Sequence, residues 1–162
     1  MSDARAAERL VSDVRAAELA AMEALFDELW PLPRSLTGDG VRETHRRISR
    51  VMPLETFEVP SGTQVFDWTV PLEWRVNQAY VIAPDGRRVL DFAESSLRLV
   101  GYSVPFRGRM SLEELQAHLY SLPEQPDAIP YVTSYYRERW GFCLSERERR
   151  ALKRILRQLS EA

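Results

Sequence analysis

The sequence predicts an α+β protein in which a β-rich central lobe is flanked by N-terminal and C-terminal helices. Three observations predict this class. Residues 3–30 are rich in Ala, Leu and Glu and lack Gly and Pro. Residues 54–102 contain short runs of β-branched and aromatic residues. In residues 145–162 the apolar residues recur with the spacing of a helix. We expect one compact domain with a helical region at 1–53, a β-rich region with one short helix at 54–144 and a helix at 145–162.

The N-terminal region predicts two helices. The first has one apolar face at i, i+3, i+4 and i+7, formed by Met22, Leu25, Phe26 and Leu29. Pro31 and Pro33 end this helix, because the residue before a Pro is disfavoured in the α conformation. Asp39 then follows a turn and is predicted to cap a second helix, which stops near Pro53.

The central region predicts strands. The candidate strands are LETFEV (54–59), QVFDWTV (64–70), NQAYVIA (77–83), RRVLDF (87–92) and LRLVGY (97–102). Pro84, Asp85 and Gly86 predict a tight hairpin turn between the third and fourth runs, since Asp and Gly tolerate positive φ.

Two capping boxes mark the later helices. Ser111 with Glu114 predicts a short helix through Leu119, and Ser145 with Glu148 predicts the start of the terminal helix. That helix has an apolar face of Leu152, Ile155, Leu156 and Leu159. Between the two helices, Pro123, Pro126 and Pro130 are predicted to keep the chain extended.

The two terminal helices carry opposite charge. Residues 1–30 contain three Arg against seven acids, whereas residues 145–162 contain six basic residues against three acids. We predict that these helices pack against each other, within one chain or across a homodimer, with charge setting their orientation. The alternative is that both present solvated faces on unrelated helices.

The overall composition excludes several classes of function. The formal net charge of −2 does not favour nucleic acid or an anionic membrane as a partner. No apolar run has the length of a spanning helix, and we expect a cytoplasmic protein. Cys143 is the single cysteine and lies among large apolar residues, which is typical of a buried residue rather than a nucleophile. His45 and His118 are expected to be ordinary helix residues, not metal ligands.

Two segments rich in aromatic residues contain the candidate binding residues. The stretch at 131–142 interleaves Tyr, Trp and Phe with Arg and Glu, and the stretch at 57–74 is also ring-rich. Flat rings with Tyr hydroxyls and an Arg guanidinium suit a small polar ligand such as an amino acid carboxylate or a sugar. The candidate ligand-binding residues are Asp67, Trp68, Trp74, Tyr131, Tyr135, Tyr136, Arg139 and Trp140. The alternative is that these rings only pack a small β lobe.

Several strings give the chain a family resemblance. They are RSLTGDGVRET, EVPSGTQVFDWTVPLEW, AYVIAPDGRRVLDF, YSVPF, LEELQAHLYSLPEQPDAIPYVTSYY and RWGFCLS, from about Arg34 to Ser145. On these strings the sequence resembles a bacterial family of zinc aminopeptidases that carry an inserted domain of unknown function. The resemblance implies that the helical start is similar to the opening of an α/β peptidase domain and that the β-rich part is the inserted domain.

The resemblance also implies what this chain lacks. Full-length members continue into a segment with His and Asp metal ligands, whereas this sequence closes with ERERRALKRILRQLSEA. We therefore expect no catalytic residue and no cofactor here, with zinc only in the full-length relatives. The predicted function is a non-catalytic relative of the inserted domain that binds a small polar ligand or a partner protein. The alternatives are a hydrolase whose metal-bearing part lies on another chain, an enzyme that uses the aromatic pocket, and an oligomerisation module.

Overall fold

The described part of the chain combines helices with short two-stranded ladders, so the α+β prediction is confirmed. A computed structural model describes residues 2–35, 37–135 and 137–160, and the side-chain surroundings of these residues except 2–7, 10 and 156–160. Contacts divide the chain into unit 1, Met1–Glu73, and unit 2, Trp74–Ala162. The three regions expected from the sequence, divided after residues 53 and 144, stay a prediction.

Unit 1 begins with helix α1, Ser2–Leu29, and helix α2, Asp39–Ile48. The last turn of α1 closes before Pro31, where the Trp30 amide donates to the Phe26 carbonyl at 2.8 Å. The prediction that Asp39 caps α2 is wrong, because Gly38 takes the capping position with φ 114° and Asp39 is the first helical residue. Only Gly adopts such a φ readily, and Gly is accepted at helix N-caps.

A tight connection joins the two helices. The chain folds back so closely that a Cβ atom on Gly40 would lie 2.0 Å from the carbonyl oxygen of Pro33, so this position requires Gly. At the other end of α2, Arg47 donates to the Glu28 carbonyl at 2.5 Å, and Arg50 pairs with the Glu28 carboxylate at 3.2 Å. The C-terminal end of α1 is therefore held against α2.

The ring-rich part of unit 1 is a hairpin, not the single strand predicted for 64–70. Strand β1, Gln64–Val65, pairs antiparallel with β2, Trp68–Thr69. The chain reverses at Phe66, whose φ is 54° and whose side chain is 96% exposed. Residues 54–59, also predicted as a strand, form no ladder within the described part of the chain.

Unit 2 opens with the predicted hairpin. Strand β3, Val81–Ile82, pairs antiparallel with β4, Arg88–Val89, and the turn between them has Gly86 at φ 84°. The Asp85 carboxylate accepts a bond from the Arg87 amide at 3.1 Å, which fixes the turn. A 3₁₀ turn, Ser96–Arg98, stands where the start of the predicted strand at 97–102 was expected.

The rest of unit 2 follows the capping boxes. Helix α3, Leu112–Gln116, leads into strand β5, Leu119–Tyr120, which pairs parallel to β6, Phe142–Cys143. Helix α4, Glu146–Ser160, follows directly. Both capping boxes are confirmed: Ser111 and Glu114 exchange side-chain and backbone hydrogen bonds, as do Ser145 and Glu148. The predicted extension of α3 to residue 119 is wrong, since 119 already belongs to the ladder.

The proline-rich segment forms turns instead of the extended chain that was predicted. The Gln125 amide donates to the Leu122 carbonyl at 3.1 Å, and the Ala128 amide donates to the Gln125 carbonyl at 3.0 Å. Pro accommodates turns as well as extended chain, since its fixed φ serves both.

The core of unit 2 joins its hairpin, its parallel ladder and both of its helices. Its buried members are Ala83, Leu90, Leu115, Leu119, Phe142, Leu144 and Leu152. Leu152 brings the apolar face of α4 onto this core, and the backbone bridges from Leu99 to Phe142 and from Gly101 to Thr133 bring residues 99–101 to the ladder. This core positions the aromatic segment at 131–142.

Candidate functional site

The aromatic segment is fixed by backbone hydrogen bonds to Val100 and Gly101. The Gly101 amide donates to the Val132 carbonyl at 2.8 Å, and the Ser134 amide donates back to the Gly101 carbonyl at 2.8 Å. The hydroxyl of Ser134 is buried and donates to the same carbonyl at 3.0 Å. Ser134 is thus a structural residue whose hydroxyl satisfies a buried backbone carbonyl.

The first ring cluster comprises Trp74, Tyr102 and Tyr135. The rings of Trp74 and Tyr102 stack with centroids 5.5 Å apart, and Tyr135 meets Tyr102 edge-on at 5.0 Å. The indole N–H of Trp74 donates to the Ser103 carbonyl at 3.1 Å. Two of the predicted site residues, Trp74 and Tyr135, are therefore brought to one cluster by Tyr102.

The second ring cluster comprises Phe106, His118, Trp140 and Phe142. Trp140 lies between two parallel rings, with Phe106 at 4.4 Å and His118 at 3.8 Å, and Phe142 meets it edge-on. The Nδ1 atom of His118 is 3.0 Å from the Trp140 carbonyl oxygen. Both faces of Trp140 are covered, so this ring packs the unit and would offer a ligand only its edge.

Arg139 is the charged member of the site. Its Nη2 donates to the Thr133 carbonyl at 2.8 Å, and its guanidinium carbon lies 5.5 Å from the ring centroid of Tyr120. Within the described part of the chain, its Nε is buried without a hydrogen-bond acceptor. Tyr131, two residues before Thr133, keeps 64% of its surface exposed. We call Tyr120, Tyr131, Thr133 and Arg139 the Arg139 surface.

The other predicted site residues are not brought to this surface. Asp67 is in the β1–β2 turn and Trp68, 46% exposed, is in β2, so both belong to unit 1. Tyr136 lies outside the described residues. The eight predicted residues are thus divided between two units, and the grouping of Asp67 and Trp68 with the others stays a prediction.

Cys143 has the environment of a structural residue. It is fully buried, and desolvation raises the pKa of its thiol to about 11, although a hydrogen bond to the Val132 backbone acts in the opposite direction. A thiol with so high a pKa is a poor nucleophile at neutral pH. The predicted reading of Cys143 as a small buried hydrophobic residue is confirmed.

Unit 1 has a separate ionic cluster around Arg42. The guanidinium donates to Glu58 at 2.8 Å, to Glu73 at 3.1 Å and to Asp39 at 3.1 Å. The hydrogen bonds with Glu73 and Glu58 raise the pKa of Arg42 above its ordinary value. All four side chains are substantially exposed, so the cluster organises surface segments more than it stabilises the unit.

Two shallow depressions in the described residues lie along α1. One shallow depression is lined by Glu8, Val11, Ser12 and Arg15, and another by Met22, Glu23, Phe26 and Asp27. For ligand chemistry we give more weight to the Arg139 surface, because depressions along one helix are open and have few convergent polar groups.

Metal ligands do not gather in the part of the chain that the structure describes: it has no cluster of three or more His, Cys, Asp or Glu suited to hold an ion. The donor groups of the described residues therefore do not fit a zinc site. Among the described residues, no helix is both long enough and apolar enough to cross a bilayer.

Sequence reasoning missed Tyr102, Phe106 and His118, which complete the two ring clusters. Tyr102 was read as a strand residue, but its φ of 61° turns the chain at the end of the predicted strand. Phe106 and His118 lie 34 and 22 positions before Trp140, and no local spacing links residues so far apart. The two aromatic residues of YSVPF (102–106) were the sequence signal that could have identified Tyr102 and Phe106.

Comparisons with known proteins place the chain in a family. A family model described as "Domain of unknown function (DUF2172)" matches residues 73–155, about half of the chain. A Clostridium acetobutylicum protein named "Putative polysaccharide biosynthesis protein with aminopeptidase-like domain" is 51% identical over 122 residues, which are 75% of this chain and 28% of that protein.

A solved structure supports the same placement. The crystal structure of a "putative peptidase" from Clostridium acetobutylicum matches with a TM-score of 0.78 and 45% identity, over 87% of this chain and 34% of that one. The chain thus spans about a third or less of the length of both relatives. On this evidence it belongs to the family with the DUF2172 domain of unknown function, whose relatives are aminopeptidase-like proteins.

Proposed function

We propose that this chain is a non-catalytic binding module of an aminopeptidase-like protein, and that the Arg139 surface binds the carboxylate of a small polar ligand. Family membership supports the first part, because one relative is named for an aminopeptidase-like domain, the other is named a putative peptidase, and both are about three times as long as this chain. The geometry of Arg139 supports the second part and is the observation on which the proposal rests.

Arg139 has the fixed position and the spare donors that carboxylate binding needs. One N–H group bonds the Thr133 carbonyl and the ring of Tyr120 lies alongside, so the guanidinium loses little freedom when a ligand binds. The bond to Thr133 is the one hydrogen bond that the Arg139 guanidinium makes among the described residues, although a guanidinium carries five N–H donors. Nε is buried, so the donors left for a ligand are those of Nη1 and the second N–H of Nη2, which suit a planar, bidentate acceptor.

The exposed ring of Tyr131 adds flat apolar area beside a hydroxyl group. A ligand that combines a carboxylate with a ring or an apolar side chain would use both features. The name of the 51% identical relative mentions polysaccharide biosynthesis, which makes a sugar acid a candidate beside an amino acid. A peptide C-terminus of a partner protein presents the same carboxylate.

Binding titrations followed by heteronuclear NMR would test this proposal. Galacturonate and L-leucine are the carboxylate probes, and galactose is the neutral control. We expect a carboxylate probe to shift the amide signals of residues 131–140, and we expect Arg139→Ala to abolish the shift. Arg139→Lys retains the charge but loses the planar pair of donors, so it should bind more weakly. Arg137→Ala, at an exposed neighbouring position, is the matched control.

The result can contradict the proposal in two ways. Equal shifts with galactose would remove the role of the carboxylate. Equal affinity of Arg139→Ala and Arg137→Ala would remove the role of Arg139, while leaving another ligand surface open to mapping by the same spectra.

A second candidate function is a hydrolase whose metal-bearing part lies on another polypeptide. The observation that favours it is the match to only 28% and 34% of the two relatives. Hydrolysis of an aminoacyl substrate panel by this chain, with and without zinc, tests the distinction. Metal-dependent turnover by this chain alone would overturn the non-catalytic proposal. Turnover only after adding the unmatched part of the Clostridium relative would favour the second candidate.

A further inference from the structure

Most of helix α1 is exposed in the part of the chain that the structure describes. From Glu8 to Ala24, every side chain that the structure describes is exposed, and Leu25 is the first half-buried residue. The C-terminal end of α1 is fixed to α2 through Glu28. A helix in water is marginal without tertiary packing of its apolar face, so this length of α1 is suited to an interface.

The exposed part of α1 has an apolar stripe. Val11, Met22 and Phe26 lie on one side of α1 by its 3.6-residue period, and Trp30 follows directly after the helix; these residues are 50%, 68%, 59% and 64% exposed. Arg15 and Glu18 lie on the same side between Val11 and Met22. The rings of Phe26 and Trp30 stack on each other at 5.8 Å, which presents a continuous apolar plate. From Met22 to Trp30 the apolar side chains are neighbours on the helix surface, unlike hydrophobic residues that are scattered singly.

The two depressions on α1 fall along this stripe. One is lined by residues 8, 11, 12 and 15, which have the i, i+3, i+4, i+7 spacing of a hole in knobs-into-holes packing. The other is lined by two apolar residues, Met22 and Phe26, and two acidic residues, Glu23 and Asp27. Each depression can receive a side chain from a facing helix.

If the facing helix is α1 of a second copy, the charges of α1 favour an antiparallel over a parallel orientation. Every basic residue of α1 lies in its first half, at Arg5, Arg9 and Arg15, where three acids balance them. The second half contains Glu18, Glu23, Asp27 and Glu28 and no basic residue. A parallel copy would bring acidic halves together, whereas an antiparallel copy brings the half with arginines against the acidic half.

We propose that α1 is a self-association helix, which pairs antiparallel with α1 of a second copy of this chain. Phe26 of one copy then lies against Val11 of the other, and Arg15 faces Glu23 across the interface. In this twofold arrangement, both depressions of each copy lie in the interface. Two copies complete the interface, so the assembly is a dimer. This inference is independent of the proposed role of Arg139.

Sedimentation equilibrium of the full chain tests the proposal. We expect a monomer–dimer equilibrium with a Kd on the order of 10 µM, as for a small interface. Met22→Glu places a charge in the apolar stripe and should raise the Kd by about a hundredfold. Ala17→Glu introduces the same residue on the opposite side of α1 and is the matched control, with little effect expected. Circular dichroism checks that both variants stay folded.

A charge exchange tests the antiparallel orientation. Arg15→Glu alone and Glu23→Arg alone each create two like-charge contacts in an antiparallel dimer and should each raise the Kd by at least about tenfold. An equimolar mixture of the two variants restores both attractive contacts and should associate about as tightly as the wild type.

Three outcomes would overturn the inference. The first is a wild-type chain that stays monomeric at concentrations on the order of 100 µM, well above the expected Kd. The second is an equal effect of Met22→Glu and Ala17→Glu, which would show that the stripe is not the interface. The third is a failure of the mixed charge variants to associate more tightly than either alone, which would exclude antiparallel pairing.

Discussion

Arg98 binds Glu148 through two parallel contacts across 50 positions of sequence. Nη1 of Arg98 donates to Oε2 of Glu148 at 2.8 Å, and Nη2 lies 2.7 Å from Oε1. The same carboxylate accepts hydrogen bonds from the backbone amide and the hydroxyl of Ser145, at 2.8 and 2.9 Å. The Glu148 side chain thus caps α4 and links this helix to the 3₁₀ turn that ends at Arg98.

This arrangement predicts an acid-sensitive contribution to stability. The hydrogen bond from Arg98, reinforced by Ser145, lowers the pKa of Glu148 to about 2. Because the pKa is lower in the folded than in the unfolded chain, the folded state is favoured above the ordinary pKa of a Glu, near 4.5. This contribution disappears as the pH falls from about 4.5 toward 2.

We therefore predict that Glu148→Gln lowers the free energy of unfolding at pH 7 by about 1–2 kcal/mol, a value reduced for its 40% exposure. Urea unfolding at pH 7 and pH 2.5 measures the effect, and the difference from wild type should shrink at the lower pH. Glu113→Gln, at an exposed position of α3, is the control. A pH-independent difference would contradict the assigned pKa.

The contrast between Ser145 and Arg98 shows what the sequence can predict. Ser145 and Glu148 were identified because a capping box acts within one helical turn, and the Asp85–Gly86 turn was identified for the same local reason. Arg98 pairs with Glu148 from a different element, so no spacing pattern could reveal it. The same limit applies to the ring clusters, whose members come from segments that only the fold brings together.

Local patterns also fail when a residue adopts an uncommon conformation. The alternating run at 64–70 predicts a strand, yet Phe66 at φ 54° turns it into a hairpin. Gly38 competes with Asp39 for the capping position because Gly tolerates φ 114°. Within the candidate site, residue types suggested Arg139, Tyr131 and the two Trp side chains, but only the fold shows that both faces of Trp140 are covered.

Gly141 is predicted to be essential for the parallel ladder. A Cβ atom on Gly141 would lie 2.7 Å from the carbonyl oxygen of His118 and 2.7 Å from the ring of Tyr120. The carbonyl belongs to the backbone that leads into β5 and cannot rotate away. We expect Gly141→Ala to lower the free energy of unfolding by about 2 kcal/mol, measured by urea unfolding.

Gly108→Ala is the matched control for Gly141→Ala. A Cβ atom there would meet the tip of the exposed Phe106 ring at 2.8 Å, and a side-chain tip can shift. We expect a change within about 0.5 kcal/mol, as for other surface substitutions. If both variants are equally stable, the close packing of β5 against residue 141 is not as described.

Arg42 is predicted to protect the connection between α2 and β1 from proteolysis. Residues 49–64 are all exposed, and Arg42 fixes this segment to α2 through Glu58. We expect Arg42→Ala to accelerate cleavage after Glu55 or Glu58 by a Glu-specific protease several-fold, because local opening becomes easier. Added salt should accelerate cleavage of the wild type by screening the same contacts.

Arg46→Ala is the control for this experiment. Arg46 pairs with Glu43 within α2 and not with the connection, so its removal should leave the cleavage rate unchanged. Equal acceleration in the two variants would indicate a general loss of helix stability instead of release of the connection.

Cys143 is predicted to resist thiol reagents until the protein opens. At pH 8 a pKa of about 11 leaves roughly a hundredfold less thiolate than an ordinary cysteine has, and full burial restricts access further. We expect a disulfide reagent to modify the native chain at least about a hundredfold more slowly than the chain in urea. Leu152→Ala, which loosens α4 on the core, should raise the native rate because opening becomes more frequent.

An exposed reference cysteine makes this test specific. Ser49→Cys, at an exposed position after α2, should react at its own fast rate while Cys143 stays unmodified, so one cysteine per chain is labelled. Fast labelling of both cysteines in the native protein would show that Cys143 reaches solvent. Burial then could not be the reason for its raised pKa, and a reactive role for this thiol would have to be considered beside the binding proposed for Arg139.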